Sequence, residues 1–248
     1  MHGTEMREQP VHTGTWGFSE AEHRPASTTQ QAVEGIKKFI QDNALKPGDT
    51  LPTESELCEE LGFSRSSVRE AIRILTTLDI VEVRHGTGTF VSDTSLKALV
   101  QGLIFRATLD DDDNLETLRN VVEIRQAIDL AIGQEITTDP DPSKLDQLNA
   151  IVEKMSVKRE QGLNFAEEDR EFHQVLLSEV DNPIIRELND AFWQVHMNVI
   201  PLRKLEEPQD LSRTVRAHQD IIDALQNNDL KKYQESVLRH YEPLLTSL

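Results

Sequence analysis

The chain is poor in several things, and each shortage narrows what it can be. Of its 248 residues one is a cysteine, Cys58. That excludes an internal disulfide and points to a reducing compartment. Aromatic residues make up 5% of the chain against 37% hydrophobic residues in all, a balance suited to helices packed through aliphatic side chains. No stretch approaches the roughly 18 apolar residues of a membrane helix. Residues 1–28 hold no apolar run of the kind found in a secretory signal. The expectation is a cytoplasmic protein with no membrane partner. Positive charge is also short: 26 Lys and Arg face 44 Asp and Glu, a net of −18.

That deficit is unevenly spread. Residues 29–94 carry seven Lys/Arg against eleven Asp/Glu, a net of −4, and residues 1–28 carry two against four, a net of −2. Residues 95–248 therefore hold the remaining −12. Any affinity for nucleic acid must rest on a local basic cluster and be strongly salt-sensitive.

The length suggests two domains, and the patterning divides the chain. Residues 1–27 are polar and read as a disordered arm. Residues 28–94 read as a winged helix-turn-helix. A helix begins near Thr28, with Val33, Ile36, Phe39 and Ile40 on one face. Lys46-Pro47-Gly48-Asp49 ends it in a turn. Thr53 with Glu56 three residues on forms a capping-box pair for a second helix, and Gly62 suits its C-terminal end. Ser64 caps a third helix with Val68, Ile72 and Leu75 as its buried stripe. Val81–Val83 and Thr89–Val91 alternate as strands around a glycine-containing hairpin. From 95 to 248 the pattern is helical throughout, about seven helices in a bundle. The breaks are at Asp110–Asp113, at Thr138-Asp-Pro-Asp-Pro142, where Ser143 with Asp146 makes a weak capping signal, at Asn164 and Asn182-Pro183, at Pro201, and at Asn227-Asn228-Asp229. The fold class is thus mainly α.

Helix, turn, helix and wing in that order make DNA reading the first hypothesis. Arg65, Arg69 and Arg73 follow at four-residue spacing and share one face of the third helix. Ser64, Ser66 and Ser67 lie beside its N-terminus, where backbone N–H groups attract phosphate. An arginine fork can hold guanine bidentately, each good pair discriminating by about 1–3 kcal/mol. Arg84 and His85 sit on the wing beside glycines that let backbone approach closely. A solvated basic helix face would explain three arginines alone, but not the pattern around them.

The string LPTESELCEELGFSRSSVREAIRILTTLDIVEVRHGTGTFV closely resembles the winged-helix domain of GntR-family bacterial transcription regulators. The matching pieces are Pro47-Gly48-Asp49, Leu51-Pro52-Thr53-Glu54, Ser64-Arg65, Val68-Arg69-Glu70-Ala71 and Gly86-Thr87-Gly88. The resemblance implies DNA contacts by Arg65 and Arg69, support from Ser64, Ser66 and Ser67, and insertion of the wing tip His85-Gly86 into the minor groove. Ser55 departs from relatives that carry a longer, sometimes basic, residue there.

In the second half, Asp169 and His173 are four apart and share a helix face, while His218 and His240 stand on two later helices. Three imidazoles and a carboxylate suit Zn²⁺, Ni²⁺ or Mn²⁺ better than hard cations such as Ca²⁺. Spacing alone leaves open the ordinary alternative, since histidines on amphipathic helices are usually structural or exposed. Residues from about 95 to 246 resemble the all-helical FCD effector domain of the FadR subfamily. The matching pieces are Glu123-Ile124-Arg125, Asp169 to His173 followed by Asn182, His218-Gln-Asp-Ile-Ile with Ala224, Asn228-Asp229, and His240. The resemblance implies that Asp169, His173, His218 and His240 bind a divalent metal. It also implies a small organic-acid effector, with Arg125 as its clamp. The plainer alternative for Arg125 is a surface salt bridge to Asp129. His196 is a candidate to face the cavity without ligating metal.

These readings converge on a homodimeric, ligand-responsive transcription regulator, a repressor by preference, binding a palindromic double-stranded operator. The competing reading is a metal-dependent hydrolase built on the same Asp/His set. Against it, Glu168 and Glu171, the nearest acids for a general base, are turned away from Asp169 and His173 by helical phase.

Overall fold

The computed structural model describes residues 27–111, 115–203 and 211–248. The arm expected over 1–27 lies, except for Ser27, outside the described residues. Ten helices and one hairpin make up the described chain. By compactness it divides into two units. One holds α1 (Thr28–Asp42), α2 (Glu54–Leu61) and α3 (Arg65–Thr77) as far as Ile74. The other holds Lys46–Leu51 and everything from Leu75 onward.

The first unit follows its local signals closely. Ser27 Oγ accepts the Gln30 N–H at 3.1 Å and opens α1. Thr53 and Glu56 form the reciprocal capping box at the start of α2, and Gly62, at φ 72°, closes it in the left-handed conformation, which glycine adopts without Cβ strain. Ser64 Oγ accepts from the Ser67 N–H at 3.2 Å, fixing the first turn of α3. The core is aliphatic, with Ala32, Val33, Ile36, Leu57, Val68, Ala71 and Ile72 buried.

In the second unit, strands β1 (Val81–Arg84) and β2 (Gly88–Val91) pair antiparallel from Val81↔Val91 to Arg84↔Gly88. The turn between them uses Gly86 at φ 74°. The all-helical part comprises α4 (Lys97–Thr108), α5 (Glu116–Ile136), α6 (Pro142–Glu160), α7 (Ala166–Leu177), α8 (Pro183–Leu202), α9 (Leu211–Gln226) and α10 (Leu230–Ser247). Helix α5 packs against α10 and α8, α6 against α7 and α9, and α9 against α10. The start of α6 corrects the sequence reading. Asp141, not Ser143, is its cap, accepting the Ser143 N–H at 2.8 Å ahead of Pro142. A proline in the first helical turn carries no N–H to leave unmet, so the cap falls immediately before it.

One ridge of α5 organises this unit. Arg125, Asp129 and Gly133 are spaced by four and so share a face. A Cβ on Gly133 would stand 2.9 Å from the ring of Tyr233, so the missing side chain is what lets α10 come this close. The Tyr233 hydroxyl donates to the Asp129 carbonyl at 2.9 Å across that contact. No helix among the described residues is long and apolar enough to cross a membrane.

Candidate functional site

Asp169 and His173 project from α7, His218 from α9 and His240 from α10, and their ligand-type atoms all lie within 4.8 Å of one another. The three histidines are buried. His218 Nε2 is 2.9 Å from Asp169 Oδ1 and His173 Nε2 is 3.4 Å from it. His173 Nε2 and His240 Nε2 are 3.1 Å apart. Two of the three outer nitrogens face acceptors of their own. His218 Nδ1 stands 2.8 Å from the Thr214 carbonyl, which can only accept, so Nδ1 carries a proton and Nε2 is the nitrogen turned to Asp169. His173 Nδ1 is 3.1 Å from Asp129 Oδ2, and the Tyr241 hydroxyl donates to that same oxygen at 2.7 Å.

The electrostatics follow from this packing. Burial alone would raise the Asp169 carboxyl, but His218, His173 and His240 hold it well below the usual carboxylate range. Burial alone would lower His173, yet Asp129 first and Asp169 second raise it to about 9. Burial and the charge of His218 push His240 well down. Three imidazoles and one carboxylate, short enough in spacing to share one ion and backed by outer acceptors, fit a divalent transition metal.

Arg125 is 1% exposed, which removes the surface salt bridge as its role. Asp129, also 1% exposed, serves His173 and Tyr241 instead. The Arg125 guanidinium lies 3.9 Å over the Trp193 ring and 5.6 Å over that of Tyr241, while its Nε and Nη1 have no hydrogen-bond partner. Among the described residues, every buried side-chain polar atom without a hydrogen-bond partner belongs to this neighbourhood, on α5, α7, α8 or α10. A separate cavity of about 700 Å³, lined by Ser95, Lys97, Gln101, Arg186, Asp190 and Gln194 among others, reaches this group only at Asn189. Glu168 and Glu171 bond outward to Lys158 at 2.7 Å and Lys154 at 3.8 Å, in keeping with their helical phase.

The residues expected to meet DNA are exposed or half-buried. Ser64, Arg65, Ser66 and Arg69 are exposed on the first turns of α3, with Ser67 half-buried, and His85 and Gly86 are exposed at the hairpin turn. Ser64 Oγ lies 2.9 Å from both Ser66 Oγ and Ser67 Oγ. Arg69 is already engaged, its Nη2 2.8 Å from Glu54 Oε2. Arg65 makes no ion pair among the described residues. Arg84 pairs with Glu82 at 2.9 Å and stacks 4.4 Å from the Phe90 ring.

Comparison with known proteins now decides the family. Residues 28–91 match the gntR family of bacterial regulatory proteins, and residues 120–243 match the FCD domain. The chain belongs to the GntR family. It is a transcriptional regulator with an FCD effector domain, and not an enzyme. It is 24% identical over 210 residues to the galactonate operon transcriptional repressor of Escherichia coli, covering 85% of this chain and 92% of that one. It is 25% identical over 217 residues to the Uxu operon regulator of Haemophilus influenzae, covering 86% and 79%. A solved GntR structure from Streptococcus agalactiae superposes with a TM-score of 0.66 at 24% identity, covering 89% of this chain and all of that one.

Four residues of this regulator's site escaped the sequence reading. Asp129 was visible only as a partner for Arg125, four residues away. Tyr241 adjoins His240 but shows no signal of its own. Trp193 sits in an apolar run and looks like core. Glu54 belongs to the first turn of a capped helix, where acids are common for dipole reasons alone.

Proposed function

We propose that this regulator is a metal-dependent dimeric repressor of the FadR subfamily, whose hold on a palindromic operator is relaxed by a small carboxylate. The observation that carries this reading is the buried Asp169–His173–His218–His240 cluster beside a buried Arg125 with two unmet nitrogens. A buried guanidinium is costly unless paired, and a carboxylate meets two adjacent donors of the fork at once, Nη2 together with either Nε or Nη1. A Zn²⁺, Ni²⁺ or Mn²⁺ ion held by the four residues would supply a Lewis-acidic point for an oxygen of the same ligand. Thr214 and Asp129 keep the His218 and His173 rings turned toward that point.

At the other end of the chain, Arg65 and Arg69 would read bases, with Ser64, Ser66 and Ser67 on phosphate and His85-Gly86 in the minor groove. Two copies would place two such readers on related half-sites. Effector and operator affinities are then linked, each changing the other by the same factor. The Escherichia coli relative supports both halves, since galactonate is a carboxylate and that protein is called a repressor. An operator-binding role is in keeping with a cytoplasmic protein.

The test is metal content and operator affinity measured on the same purified protein. Bound divalent metal near one per chain is expected, falling sharply in His218→Ala, with operator binding by the metal-free protein retained. Wild-type metal stoichiometry in His218→Ala would rule out the ligand assignment.

A further inference from the structure

Arg125 has company among the unmet polar groups. On α8, Asn189, Trp193 and His196 follow at spacings of four and three, which sets them in one stripe along the helix. They are 1%, 2% and 6% exposed. Each carries a buried polar atom without a partner: Asn189 Oδ1, Trp193 Nε1 and His196 Nδ1. The stripe adjoins the cluster. Trp193 lies beneath the Arg125 guanidinium, its ring centre 6.1 Å from that of His173 and 5.5 Å from that of His196. Native interiors leave few such atoms unpaired, and three on one helix face beside two more on Arg125 point to a ligand.

The demands of the three groups differ, and together they select a chemistry. Trp193 Nε1 can only donate, so it needs an acceptor. Asn189 Oδ1 can only accept, so it needs a donor. His196 is neutral, since burial and the Arg125 charge push its pKa down to about 3, and a neutral imidazole has one nitrogen of each kind. An alkyl chain along this stripe would leave all three unmet, each at a desolvation cost. A second carboxylate would meet Trp193 but not Asn189 Oδ1, and in either amide orientation would add negative charge near Asp129 and Asp169. A hydroxyl both donates and accepts. It serves an amide in either orientation and an imidazole in either tautomer.

We propose that Asn189, Trp193 and His196 read hydroxyl groups along the effector, so that the ligand is a polyhydroxylated carboxylate of the sugar-acid class. This rests on the carboxylate reading for the Arg125 end and extends it to the rest of the molecule. Ligand hydroxyls would replace waters without loss of hydrogen bonds, whereas an apolar chain would not.

Isothermal titration calorimetry on the full-length protein supplied with Zn²⁺ tests the idea with three kinds of six-carbon probe. The aldonic acids gluconate, mannonate and gulonate carry a carboxylate and hydroxyls, hexanoate the carboxylate alone, and sorbitol the hydroxyls alone. At least one aldonic acid is expected to bind roughly tenfold or more tighter than hexanoate, the yield of one or two hydrogen bonds. Trp193→Phe keeps a ring under Arg125 and removes the N–H together with the pyrrole half of the indole, so the hexanoate arm reads what the lost ring area does by itself. That variant and Asn189→Leu should each weaken aldonic-acid binding roughly three- to tenfold, with hexanoate nearly unchanged. Trp193→Phe decides the matter even if Asn189→Leu does not fold. Hexanoate binding as tightly as every aldonic acid, or indifference of the aldonic acids to Trp193→Phe, overturns the hydroxyl stripe and leaves the carboxylate clamp standing. Binding of sorbitol but of neither kind of acid overturns the clamp and keeps the stripe. Binding of none overturns both.

Discussion

On α3, Arg69 has a half-exposed side chain already met by Glu54, whereas on α5 Arg125 is 1% exposed and two of its nitrogens have no hydrogen-bond partner. The same side chain is thus held in two ways. Near water an ion pair forms and breaks at little net cost, so Arg69 can exchange a carboxylate for a base or phosphate. Away from water an unmet guanidinium is expensive, and the fold keeps it only where something else answers it. Arg69 is stored; the cation of the effector domain is committed. Mutations at each should therefore fail differently, the first in DNA affinity with the fold unchanged, the second in ligand and metal binding.

The largest effect should come from Arg65→Ala with Arg69→Ala. Losing two base-reading forks should cut specific operator affinity by about a hundredfold or more, while helical circular dichroism and melting stay at wild type. Fluorescence anisotropy on a labelled operator measures it, and undiminished affinity would remove α3 as the reader. Next comes Asp129→Asn. It weakens the acceptor that faces His173 Nδ1 at 3.1 Å, and outer-shell losses of this kind cost roughly 10- to 100-fold in metal affinity. Competition against a chelating dye reads it. Metal affinity equal to wild type would mean that Asp129 only anchors Tyr241.

The reader was more legible than the effector site, for a physical reason. Its devices are local: Thr53 with Glu56, the glycine at 62 and Ser64 ahead of α3 act within one turn of chain, and each stands where expected. The proposed effector site is assembled from five helices over more than a hundred residues, and only its four metal-type donors carry a chemical signature. Asp129 and Arg125 look like a solvent pair at i,i+4 until α8 and α10 close over them. Tyr241 and Trp193 look like filling. Asn189 and His196 were not readable as a stripe without knowing which face of α8 turns inward. The boundary miss at α6 has a smaller cause, two aspartates flanking Pro140 and Pro142, of which only Asp141 directly precedes the helix.

Gly133→Ala separates packing from function. The new methyl would stand 2.9 Å from the buried Tyr233 ring, a close approach that costs about 1–3 kcal/mol when the ring must shift. At roughly 2–4 °C per kcal/mol for a chain of this size, melting should fall by about 2–12 °C. Operator affinity below the transition should not change, because the strain lies in the effector domain. A melting temperature equal to wild type would show that α10 moves freely away from α5.

The smallest effect, and the one that probes the stored cation directly, is Glu54→Gln. Glu54 occupies two roles on the same surface. It holds Arg69 through contacts of 2.8 and 3.2 Å, and on the proposed DNA-facing surface it places a negative charge where phosphates would approach. Removing the charge frees Arg69 and lowers the repulsion, so binding to random-sequence DNA should strengthen. Specific binding should gain less, because an unheld arginine pays more entropy to reach one base. The ratio of specific to non-specific affinity should therefore narrow, by less than about tenfold, with the difference fading as salt rises. A ratio that widens would mean that Glu54 competes with the operator for Arg69 rather than aiming it.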